Sequence, residues 1–151
     1  MAKSSFSKRL KRTIFAYALF TFLAYTAYYE FWGKHVYLVT AYCNCPICIN
    51  VPQYRDNKFA SGKKLYWGAA AADSKVKFGS KIELVPLWPQ DWFAEQKVLK
   101  GRNKFTVEDR GGKIKGKHID LFIPDSMGGH KAALHWGARR MRLKINGKFA
   151  E

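Results

Sequence analysis

The chain is poor in cysteine, proline and acid. Its 151 residues include three cysteines, five prolines and 11 Asp plus Glu. Three cysteines are too few for a disulfide framework, and the odd count leaves one thiol over if two pair. No segment repeats at a fixed period and no tract is of low complexity, which argues against solenoids and propellers. The four histidines lack the H-E-x-x-H spacing of zinc peptidases. His118, His130 and His135 therefore read as structural or surface residues. Global disorder is also excluded, because 48% of the residues are hydrophobic and 16% aromatic. The length suits one compact domain and little else.

What is abundant is positive charge. Lys and Arg number 27, for a net charge of +16. From Gly33 onward, 22 basic residues face 10 acidic ones, a surplus of +12. Such a field attracts polyanions: nucleic acid, anionic lipid headgroups or anionic wall polymers. No basic helix and no strand interleaving aromatic with basic residues favours RNA recognition. Nucleic acid is not expected as a partner.

A basic block, Lys8-Arg9-Leu10-Lys11-Arg12, precedes a run from Thr13 to Tyr29 that no charge interrupts before Glu30. With Phe31 and Trp32 the run approaches the roughly 20 residues that cross a hydrocarbon layer. Tyr28, Tyr29 and Trp32 resemble an interfacial aromatic belt. The positive-inside rule gives a cytoplasmic basic segment (1–12), a single-pass transmembrane helix (13–32) in the inner cell membrane, and an extracytoplasmic domain (33–151) on the periplasmic or wall side. A cleaved signal peptide is the competing reading. It fits less well, because Tyr25 would occupy the −3 place before a cut after Ala27.

After Gly33 the pattern turns to short runs between glycines. Residues 35–42, 81–85, 104–108, 118–123 and 140–145 are β-branched, aromatic or alternating, and read as strands. Residues 129–136 read as one short helix stopped by Gly137. The fold class is mainly β, a small barrel.

Ordered motifs run through this domain. Val39-Thr40-Ala41-Tyr42-Cys43 is followed by Ala60-Ser61-Gly62-Lys63, Ala70-Ala71-Ala72-Asp73 and Phe78-Gly79-Ser80-Lys81. Glu108-Asp109-Arg110-Gly111-Gly112, Ile119-Asp120-Leu121-Phe122 and Ala132-Ala133-Leu134-His135-Trp136-Gly137 come next. In this order they resemble the three-aspartate (3D) domain family of lytic transglycosylases and muralytic enzymes, over about residues 37–145. The resemblance implies a double-psi β-barrel with Asp73, Asp109 and Asp120 gathered in one groove. It implies cleavage of the β-1,4 bond between N-acetylmuramic acid and N-acetylglucosamine in peptidoglycan, leaving a 1,6-anhydro sugar without external water. Asp120 would be the acid, and no cofactor is implied. The alternative on the same fold is a peptidoglycan-binding barrel without catalysis.

The chemistry is consistent with one carboxyl. Glycosidases ordinarily use two. If the sugar's own 6-hydroxyl is the nucleophile, one carboxyl can give a proton to the leaving oxygen and take one from that hydroxyl. It must be protonated well above the usual Asp range near pH 4, and burial beside other carboxylates favours this. Asp109, before Arg110-Gly111-Gly112, also reads as a turn cap, and Asp73 shares that ambiguity. Thr40, Lys63, Lys113 and Lys115 are candidate substrate contacts, the last two also readable as a solvated basic loop.

Two further features stand out, a connection longer than the family's and a cysteine cluster after the first strand that some family members also carry. Residues 87–103 form a long connection in which Trp88, Trp92 and Phe93 could stack on sugars or pack on the barrel. Cys43, Cys45 and Cys48 stand in a C-x-C-x-x-C spacing. A local disulfide or free thiols is favoured over a thiolate metal site with His35 or another residue as fourth ligand, because no convincing fourth ligand is adjacent.

Overall fold

The structure is a computed structural model that describes residues 3–31 and 33–150. It divides into two units, one ending at Lys34 and the other beginning at His35.

The first unit is a helix, α1 (Lys3–Phe31). The basic block belongs to this helix rather than preceding it. Among the described residues, no helix is long and apolar enough to cross a membrane. The transmembrane expectation for 13–32 therefore lacks support. The reason is compositional: Tyr17, Tyr25, Tyr28 and Tyr29, with Thr13, Thr21 and Thr26, dilute an uncharged run without making it apolar. The threonine hydroxyls turn back onto the helix, Thr21 Oγ1 donating to the carbonyls of Tyr17 and Ala18 at 3.0 and 2.9 Å. Trp32, the last member of the expected aromatic belt, lies outside the described residues.

The second unit is a closed barrel. Its strands are β1 (Val36–Tyr42), β2 (Ala69–Ala72), β3 (Lys81–Val85), β4 (Lys104–Asp109), β5 (His118–Phe122) and β6 (Arg139–Ile145). They follow the order β1-β5-β2-β4-β3-β6, and β6 pairs back with β1 to close the ring. The short β7 (Lys148–Phe149) adds onto β6. Pairs β1–β5 and β2–β4 are parallel, and the other four barrel pairs are antiparallel. Closure removes the exposed edges that an open sheet would present.

Alternation fills the interior. Val39, Ala70, Ala72, Ile82, Leu84, Phe105, Val107, Ile119, Leu121, Met141 and Leu143 form the main core. Helix α3 (Gly129–Trp136) lies against β1 and caps this core with Trp136, which is 1% exposed. The indole Nε1 donates to the Val39 carbonyl at 3.2 Å, so burial leaves no polar atom unpaired there.

A second barrel-domain helix replaces the expected irregular connection. It is α2 (Pro89–Leu99). Pro89 suits the first turn, where its missing N–H costs nothing. Asp91, also in the first turn, pairs with Arg139 at 3.1 Å. Ala94, Val98 and Leu99 turn into the core, while Trp88, Trp92 and Phe93 stay exposed.

Candidate active site

The core assignment fixes which residues face outward. Because Val39, Ile119 and Leu121 point inward, their neighbours Thr40 and Asp120 point to the outer face. In register, Thr40 stands opposite Asp120, and Asp120 opposite Ala71. The same Ala71 stands opposite Asp109 on its other side. Thr40, Asp120, Ala71 and Asp109 thus make one row across four strands.

Asp109 reaches that row through an irregularity. Phe105 and Val107 face the core, so strict alternation would send Asp109 inward with them. Instead the β2–β4 register shifts: Ala70 pairs with Val107 and Ala71 with Asp109, so Glu108 is passed over. An extra residue of this kind re-aims the side chain that follows it.

Asp120 is half-buried. Thr40 Oγ1 donates to its Oδ1 at 2.6 Å. The Thr40 hydroxyl also lies 2.9 Å from His118 Nε2. Thr40 has one proton and gives it to Asp120, so His118 Nε2 is the donor in that contact. Burial raises the Asp120 pKa above its ordinary value. The Thr40 bond and the charge of His118 oppose this, and the charge of Asp109 adds to it. Oδ1 is held by Thr40, which leaves Oδ2 for a substrate.

Asp109 is held differently. The Tyr42 hydroxyl donates to Oδ2, and the backbone amides of Ala60 and Arg110 donate to Oδ1 at 3.0 and 2.8 Å. Three donors fix the orientation of this carboxylate. Tyr42 in turn has its pKa pushed well up by burial and by the charges of Asp109 and Asp120. The loop carrying Ala60 is pinned by Phe59, which packs edge-on against Phe122 and Tyr66.

Asp73 does not share this row. It follows the last residue of β2, and both oxygens are engaged by backbone: Lys75 N–H donates to Oδ1 at 2.9 Å and Gly116 N–H to Oδ2 at 2.7 Å. These bonds, aided by the charges of Lys115 and Lys75, hold its carboxyl below the usual range. Gly116 has φ +59, a conformation that glycine adopts without strain. Asp109 and Asp120 therefore share one row, and Asp73 ties the 73–76 turn to the loop after β4.

The other expected contacts spread out. Lys63 Nζ lies 2.6 Å from Oε1 of the fully buried Glu108, so its ammonium serves that acid. Burial would raise the Glu108 pKa, but hydrogen bonds from Lys63 and Tyr66 outweigh it and the net shift is downward. Lys113 and Lys115 are exposed on the loop before β5, Lys115 near Asp73. Trp92 packs edge-on against Phe93 on α2. A separate cavity of about 490 Å³ opens beside β3 and β4, lined by Trp67, Lys81, Arg102, Lys104 and Phe105 among others; the three aspartates do not line it.

His118 and Tyr42 were not singled out as site residues by sequence. For His118 a signal existed: it precedes Asp120 by two on one strand and so shares its face. Cys43, Cys45 and Cys48 are free thiols at the end of β1 and in the loop that follows. His130 of α3 stands among them, and among the described residues these four side chains form the group that could hold a metal ion.

No family model and no curated protein matches the chain. Among solved structures it is similar to the lytic transglycosylase MltA from E. coli, at 25% identity over 58% of this chain and 26% of that one, with a TM-score of 0.40. It is likewise similar to E. coli MltA with bound chitohexaose, at 24% identity, the same coverage and a TM-score of 0.40. The chain thus spans about a quarter of the length of those proteins.

Proposed function

We propose that the barrel is a peptidoglycan lytic transglycosylase with Asp120 as its single acid and base. The observation that carries this reading is the environment of Asp120. It is a half-buried carboxyl with a raised pKa, with one oxygen fixed by Thr40 and the charge of Asp109 across one intervening strand. The ordered motifs shared with the three-aspartate family, two of whose aspartates fall in this row, support the substrate class. Two parallel strand pairs in a closed six-stranded ring are compatible with a double-psi barrel.

In the proposed cycle Asp120 Oδ2 protonates the glycosidic oxygen as the bond to C1 of N-acetylmuramic acid breaks. The resulting carboxylate then takes the proton of the sugar's 6-hydroxyl as O6 bonds to C1. The net proton passes from the 6-hydroxyl to the leaving sugar, and Asp120 ends as it began. The charge of Asp109 adds to burial in raising the Asp120 pKa, and it faces the cationic charge that develops at C1. A positioned acid of this kind contributes about 10²–10⁴-fold in rate. Peptidoglycan lies on the wall side of the cell membrane, and the protein is proposed to work there.

The test is mass spectrometry of purified sacculi after incubation with the full chain. Release of 1,6-anhydro muropeptides, lost in Asp120→Asn with binding retained, supports the reading. Products carrying one added water indicate a hydrolase. Binding without any release from the unmutated protein makes it a wall-binding barrel and refutes the proposal.

A further inference from the structure

We propose that Cys43, Cys45, Cys48 and His130 form a binding site for a structural zinc ion. The spacing of the three cysteines alone left the fourth ligand open. The fold supplies it from 82 residues further along the chain, at the start of α3.

The distances fit a tetrahedral set. The one sulfur, one nitrogen or other ligand atom offered by each residue all lie within 4.8 Å of one another. Cys43 Sγ and Cys48 Sγ are 3.5 Å apart. His130 Nδ1 is 3.6 Å from Cys45 Sγ and 3.5 Å from Cys48 Sγ. Around zinc, with bonds of about 2.3 Å to sulfur and about 2.0–2.1 Å to nitrogen, tetrahedral angles give edges of about 3.8 Å between sulfurs and about 3.6 Å between sulfur and nitrogen. The three pair distances fall within a few tenths of those edges, and the widest separation, up to 4.8 Å, closes by about 1 Å when the ion is bound. The three thiols are also free rather than paired.

The surroundings are those of a thiolate ligand. The Cys48 backbone amide donates to Cys45 Sγ at 3.5 Å. The Ile49 amide donates to the Cys45 carbonyl at 2.9 Å, closing a tight turn over Cys45-Pro46-Ile47-Cys48. Amide donors of this type orient a sulfur ligand and relieve its charge. With three thiolates and a neutral imidazole the complex carries one negative charge, which suits a domain whose surplus is strongly positive. Zinc is preferred over a hard cation because sulfur supplies three of four ligands. Four protein ligands leave no open position, so the ion is structural.

Its effect on the fold is local. It would fasten the loop after β1 to the beginning of α3, directly beyond Tyr42. That loop goes on to carry Ala60, a donor to Asp109. The site stands whether or not the barrel cleaves glycans.

The experiment uses the full chain, purified reduced, loaded with zinc and freed of excess metal. Elemental analysis is expected to give one zinc per chain. Cobalt should replace it with the intense visible absorption of a tetrahedral thiolate site. His130→Ala should weaken cobalt binding at least tenfold and change that spectrum. His130→Cys should restore tight binding with the spectrum of four thiolates. The proposal is overturned if the folded, reduced protein takes up no stoichiometric zinc. It is equally overturned if His130→Ala binds cobalt with unchanged affinity and spectrum.

Discussion

Thr40→Val removes one hydroxyl and keeps the side chain's shape. Thr40 Oγ1 donates to Asp120 Oδ1 at 2.6 Å, and this bond favours the carboxylate. A hydrogen bond to a charged group contributes about 1.5–3 kcal/mol. The pair is half-buried, so water partly replaces the lost donor and the lower end applies. At 1.36 kcal/mol per tenfold, the ionisation constant of Asp120 then falls about tenfold, toward the protonated acid. An enzyme that needs Asp120 protonated loses activity as pH rises through its pKa. Removing Thr40's proton must therefore move the alkaline limb of the pH–rate profile to higher pH. The assay is release of anhydro muropeptides from sacculi across the pH range, with circular dichroism as a folding control. A limb that stays in place, or moves down, in a folded variant would show that Asp120 is not the group whose protonation limits the rate.

Asp109→Asn should act in the opposite direction. It removes the charge that helps raise the Asp120 pKa, so the same limb should move to lower pH. Asp120→Asn should abolish release yet raise thermal stability at pH 7. The folded Asp120 pKa is raised, so stability falls as pH climbs from the unfolded value, and a neutral amide escapes that cost. The Tm gap should vanish near about pH 3, where an unperturbed Asp is neutral in both states; a gap that persists there contradicts the assignment. Asp73→Asn has the reverse sign. Its folded pKa is depressed, so its contribution is present above the unfolded value and is lost as pH falls through the folded one. Its Tm should drop at pH 7 and match the parent in acid, with the pH–rate limb unmoved.

Five strands were legible because their residues alternate or are β-branched, as in 104–108 and 140–145. β2 was not, since Ala69–Ala72 lies buried on both faces and alanine carries no strand signal. α2 was missed because Trp88, Trp92 and Phe93 drew attention to the exposed side, whereas Ala94, Val98 and Leu99 carry the packing. Within the site, the facing of Asp120 follows from alternation with the buried Ile119 and Leu121. Alternation could not give Asp109, whose direction depends on a register shift involving a partner strand. Asp73 is held by amides 2 and 43 residues away, the second of which spacing along the chain does not reveal. His118 and His130 meet their partners across 78 and 82 residues, distances over which spacing rules say nothing.

The four-alanine strand has one further consequence. Its backbone is paired on both sides, to β4 and β5, and its side chains are methyl groups. Ala71, between the two acids, is 2% exposed, so this strand offers a long polymer almost nothing to grip. Whatever lies over Ala71 is held from the banks and not from the bed.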